Sequence, residues 1–91
     1  MMIKEDVKRG SVVYYARILP TVGIYDLCEL KIRTVTEDYF CGADKDKHAY
    51  LFGYNSLNTA IFNNRADCLT KVKDAQENAQ ETNYEKEYEE Y

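Results

Sequence analysis

The chain has no tryptophan, one proline, one histidine and three cysteines among its 91 residues. Each scarcity excludes something. His48, Cys28, Cys41 and Cys68 form none of the C-x-x-C or H-x-x-x-H pairs that fix two zinc ligands on one turn, so no metal site is expected. An odd number of cysteines without paired spacing argues against a disulfide framework and for reduced, interior thiols. No stretch approaches the ~18 consecutive apolar residues of a membrane span, and no basic-then-apolar leader begins at Met1. A cytoplasmic chain without a membrane partner is expected. Gly10, Gly23, Gly42 and Gly53 are dispersed, so no loop is built to cradle a phosphate.

Catalytic constellations are equally scarce. His48 follows the charged run Asp44–Lys47, and no nucleophile stands in register with it. Cys28 and Cys41 fall inside strand patterns, whereas a reactive thiolate needs a polar, accessible site. Glu37/Asp38 and Asp44/Asp46 are carboxylate pairs in sequence only. The expectation is a non-enzyme with no cofactor. A chain of this length buries about 60–65% of the surface its unfolded form exposes, which leaves little scaffold for a deep cleft. Its nine tyrosines and three phenylalanines must supply much of the core.

What is present is a change of hydrophobic period near Asn64. Before it, apolar residues come in short β-branched and aromatic runs; after it, they recur at helical spacing. The first strand follows Gly10-Ser11, with Val12, Tyr14, Ala16 and Ile18 alternating against Val13, Tyr15, Arg17 and Leu19. Pro20 to Gly23 breaks it. A long second strand, Ile24 to Val35, carries Cys28, Leu30 and Ile32 opposite Glu29, Lys31 and Arg33, so the former set is expected to face the core. Further strands are expected at Tyr39 to Ala43, Ala49 to Tyr54 and Ala60 to Phe62, with a turn of 3₁₀ helix at Asn55 to Asn58. Asn64 is a good N-cap, with Asp67 placed to favour the helix dipole. Ala66, Leu69, Val72, Ala75 and Ala79 then line one side of a helix of about four turns. The fold class is β with one C-terminal helix: an SH3-like small antiparallel barrel of about five strands capped by that helix. Residues 1–80 form this domain, and 81–91 an acidic, tyrosine-bearing tail.

Charge divides along the same line. Residues 1–73 hold eleven Lys/Arg against nine Asp/Glu, while 74–91 hold only Lys86 against seven acids. The net charge of -4 therefore describes the tail, and it does not exclude nucleic acid as a partner of the body.

Two surfaces carry recognition chemistry. Tyr15, Arg17, Tyr25, Lys31 and Arg33 are expected together on the outward face of the first two strands, where aromatic and basic side chains would suit base stacking and phosphate pairing. The same residues also suit a plain soluble sheet face with laterally packed tyrosines. Tyr84, Tyr88 and Tyr91 fall at i, i+4 and i+7, one face of a helix that could dock on a basic groove. A solvating tail is the alternative, because seven carboxylates repel one another.

The strand run Gly10-Ser11-Val12-Val13-Tyr14-Tyr15-Ala16-Arg17, the segments Glu29–Val35, Tyr39–Gly42 and Ala49–Phe52, and Ile61-Phe62 before Arg65-Ala66 together resemble a diffuse class of small uncharacterised proteins. These belong to phages and other mobile elements of Gram-positive bacteria, and the resemblance covers about residues 7–76. It implies an accessory protein that binds a host protein and blocks or modulates it, for example a host defence system such as a CRISPR nuclease. It carries over no functional residue. A nucleic-acid-binding small barrel is the second reading. A homo-oligomeric component, with the helix stripe packed between protomers, is the third.

Overall fold

The computed structural model describes residues 1–89, with side chains as far as Asn78. Its strands are β1 (Val12–Leu19), β2 (Ile24–Val35), β3 (Tyr39–Ala43), β4 (Ala49–Gly53) and β5 (Ile61–Phe62), followed by helix α1 (Arg65–Glu89). They form one antiparallel sheet in the order β4-β3-β2-β1-β5. Side chains close the β2–β3 and β3–β4 turns. Thr36 Oγ1 accepts the N–H of Tyr39 at 3.0 Å and so closes the β2–β3 turn. Asp44 Oδ1 accepts the N–H groups of Asp46 and His48, both at 2.9 Å, at the β3–β4 tip. Gly23 takes φ 70 at the end of the 3₁₀ turn Pro20–Val22, a conformation that glycine adopts without steric cost.

Strand alternation makes the sheet apolar on both faces. Val13 pairs with Leu30 and Tyr15 with Cys28, and this face packs with Ile32, Phe40, Phe52 and Ile61 into the main core. Ring centroids of Tyr15 and Phe52 lie 4.9 Å apart, although two strands separate β1 from β4. At about 4.8 Å per strand a flat sheet would hold those strands some 14 Å apart, so this face is concave. The curl stops short of closure. β4 and β5 are the two edges of the sheet, which is curled and not closed.

The convex face carries the helix. Ala16 packs with Cys68 and Val72 of α1, flanked by Tyr14, Ile18, Tyr25, Leu27 and Phe62. The core is therefore two clusters, one on each face of the sheet. Val12, Tyr14, Ala16 and Ile18 do not meet Cys28, Leu30 and Ile32, because the register of β1 on β2 sends the two sets to opposite sides. Leu69, expected inward, is 39% exposed, and the inward residues of α1 are Cys68 and Val72. Asn64 caps the helix as expected, its Oδ1 accepting the N–H of Ala66 at 2.7 Å and of Asp67 at 3.3 Å. The helix continues beyond Ala79 to Glu89, since no glycine or proline interrupts a run rich in Glu, Gln, Lys and Ala.

The segment before β1 is part of the core. Met2 and Val7 are buried in the concave cluster, on either side of the 3₁₀ turn Lys4–Asp6. Asn58 anchors it: the Met2 N–H donates to Asn58 Oδ1 at 2.8 Å, and Asn58 Nδ2 donates to the Met2 carbonyl at 2.6 Å. One side chain thereby satisfies two backbone groups that a strand neighbour would otherwise pair.

Candidate functional site

β2 is far longer than its neighbour. β3 pairs only with Lys31 to Val35, so residues 24–30 have β1 on one side and, among the described residues, no strand on the other. Parity identifies the free groups. Ile32 exchanges backbone bonds with Gly10 and Ser11, so the even-numbered residues of β2 turn their N–H and C=O toward β1. The backbone groups of Tyr25, Leu27 and Glu29 therefore point to the open side. The hairpin tip Asp44–Lys47 stands beside this edge and forms the opposite wall of a notch.

An open hollow of about 930 Å³ occupies the notch and is floored by residues 27–31 of β2. Arg17, Lys31, Arg33, Lys45, Lys47 and Arg65 line it, against the acids Glu29, Asp44 and Asp46. Tyr14 and Tyr50 contribute half-buried rings. β1, β2, the β3–β4 tip and the start of α1 each supply at least one cation, so positive charge converges from four elements. Arg17 is partly committed, its Nη2 pairing with Asp26 at 3.2 Å across the β1–β2 ladder. Lys31 and Arg33 are exposed.

The notch also contains weaker candidates for chemistry. Asp44, Asp46 and His48 place ligand atoms within 4.8 Å of one another. Asp44, however, already accepts two N–H groups of its own turn and lies 3.4 Å from His48 Nδ1. Desolvation raises its carboxyl, but the hydrogen bonds from His48 and Asp46 outweigh that, and it titrates below its ordinary value. The trio reads as the clamp of the hairpin. Burial pushes the Cys28 thiol up, and the nearby Arg17 only partly offsets this. Cys68, outside the notch beneath α1, is pushed by burial up to about 11. Both thiols are thus held neutral at physiological pH, the opposite of an activated nucleophile.

The surface expected from the sequence is divided. Arg17, Lys31 and Arg33 do meet in the notch. Tyr15 lies in the concave core against Phe52 and Tyr50, with ring centroids at 4.9 and 5.6 Å. Tyr25 packs against the cluster beneath α1 on the opposite face. The five residues therefore do not share one outward face. Tyr84 and Tyr88 lie on α1 where side chains fall outside the described residues, and Tyr91 lies outside them altogether. Sequence reasoning missed Lys45, Lys47 and Arg65, whose only signal was the charged tip and the first residue after a helix cap. No family model, curated protein or solved structure matches the chain.

Proposed function

We propose that this chain is a non-enzymatic binding protein whose β2 notch docks on an acidic surface of a partner protein. The observation that carries this reading is the convergence of six basic side chains against three acidic ones beside an unpaired strand edge. Such a field steers association and suppresses wrong partners, with a reach of about 8 Å at physiological salt. The action is occlusion: the bound surface is denied to its other ligands, and no bond is made or broken. The resemblance to small proteins of phages and mobile elements makes the partner a host protein, with a host defence nuclease as the target class. That part of the proposal rests on the resemblance alone. An SH3-like architecture, with its sheet curled but open, belongs to the same proposal, supported by the curl that brings β1 and β4 rings together.

A nucleic-acid reading draws on the same cations, which would pair with phosphates. It is weakened by the loss of Tyr15 to the core, since stacking platforms must be accessible. Homo-oligomerisation draws on a different feature, the exposed Leu69 of α1. Capture of partners from host lysate on immobilised chain, with and without nuclease, tests the proposal. A protein that stays bound after nuclease treatment is expected. Loss of all captured material on nuclease treatment would transfer the notch to nucleic acid.

A further inference from the structure

We infer that the notch receives its partner as an extended acidic segment, added as a strand to the open edge of β2 in line with β3. This deepens the proposed function and rests on it. Three observations converge. The first is the edge itself: Tyr25, Leu27 and Glu29 each turn one N–H and one C=O toward the notch, and β3 ends before reaching them. Unpaired strand edges are templates for another strand, and the spacing of these three residues fits a partner segment of about five residues.

The second observation is charge. Cations flank the edge on both sides of the sheet, with Arg17 toward the concave face and Lys31 and Arg65 toward the convex one. The side chains of an added strand alternate between those faces, so acidic residues on either would meet positive charge. The third is contrast with β4, one of the two outer edges of the sheet. β4 (Ala49–Gly53) carries no charged residue, and nothing in its composition selects an acidic segment. Native sheets commonly guard an edge with charge; the open stretch itself carries Asp26, which Arg17 pairs, and Glu29, so the cations that would meet an acidic strand are Lys31, Arg33, Lys45, Lys47 and Arg65 around it.

The probe is a fluorescein-labelled octapeptide of alternating glutamate and valine, together with the same peptide N-methylated at every amide. Methylation keeps the charge and removes the strand donors. Binding to the full chain is followed by anisotropy at low salt. The expected result is saturable binding of the plain peptide and at least tenfold weaker binding of the methylated one. Glu29→Pro supplies the sharper arm. Proline removes an N–H that the fold leaves unpaired and also removes a negative charge. Strand addition therefore predicts at least tenfold weaker binding, whereas charge alone predicts tighter binding. Glu29→Gln, which keeps the N–H, should bind as well as the native chain or better.

Equal affinity for the two peptides, or tighter binding by Glu29→Pro, overturns strand addition while leaving a charge-driven notch intact. No binding of the plain peptide overturns it as well. If Glu29→Pro fails to fold by circular dichroism, hydrogen exchange on the native chain decides. The amides of Leu27 and Glu29 should slow at least tenfold with peptide while those of Cys28 and Leu30 do not, and no change at Leu27 and Glu29 refutes the inference. The underlying reading fails separately, if Lys31→Glu combined with Arg33→Glu leaves peptide affinity unchanged.

Discussion

Leu30→Ala and Leu69→Ala carry the same chemistry into opposite environments. Leu30 has 0% of its surface exposed and pairs across β1 with Val13. A Cβ built on Gly42 would stand 3.1 Å from Leu30 Cβ, so the wall around the side chain is already tight. Truncation there should cost about 2–5 kcal/mol, from lost transfer energy and the cavity left behind. A domain of this size holds roughly 5–10 kcal/mol in all, so the variant should lose up to half its stability or more. At about 4–8 °C per kcal/mol, the melting temperature should fall by roughly 8–40 °C. Leu69, 39% exposed, should lose about 0.5 kcal/mol or less on the same change. Urea denaturation followed by circular dichroism measures both, with unchanged m-values confirming that only stability moved. Equal losses, or a larger loss at Leu69, would show that α1 packs on the sheet through a different stripe.

Asn58→Gly keeps the left-handed backbone, φ 66, but removes both hydrogen bonds to Met2; it should cost about 1–2 kcal/mol and speed exchange of the Met2 amide. An unchanged exchange rate would show that the anchor is idle. Asn64→Ala should cost about 1 kcal/mol in thermal unfolding through loss of the α1 cap, with Asn64→Ser largely restoring it. The Cys68 thiol is raised from 9.0 to about 11, so its contribution is complete below pH 9.0 and is lost as pH rises through about 11. The stability gap between native chain and Cys68→Ala should narrow across that interval, and a gap independent of pH would contradict the assignment.

Strand positions were legible because β-branched runs end at turn residues: β1 ends just before Pro20, β2 runs from just after Gly23 to just before Thr36, and β3 ends just before Asp44. Register was not legible. Val12/Tyr14 and Leu30/Ile32 each form an apolar set within one strand, but only the turn at Pro20–Gly23 determines whether those sets face the same way. That parity divided Tyr15 and Arg17 from Tyr25 and Lys31, and with them the expected binding face. The N-terminal anchor was invisible because it depends on Asn58 meeting Met2 across fifty-six positions. The notch follows from a difference in length, twelve residues in β2 against five in β3. That difference is readable in sequence, but it acquires meaning only once β3 is known to pair with the far end of β2. Arg65 reaches the notch because α1 crosses the convex face, a placement that its local sequence does not encode.

The central claim is that the cations of the notch hold a partner protein. Its most direct test is nuclease-treated capture from host lysate on native chain and on the Lys31→Glu/Arg33→Glu variant, side by side. Both side chains are exposed, so the variant should fold with its melting temperature close to native. The account predicts a protein that is retained by the native chain, weakens with salt and is lost at least tenfold from the variant. Equal retention by the folded variant would contradict the claim and move the binding surface elsewhere on the molecule.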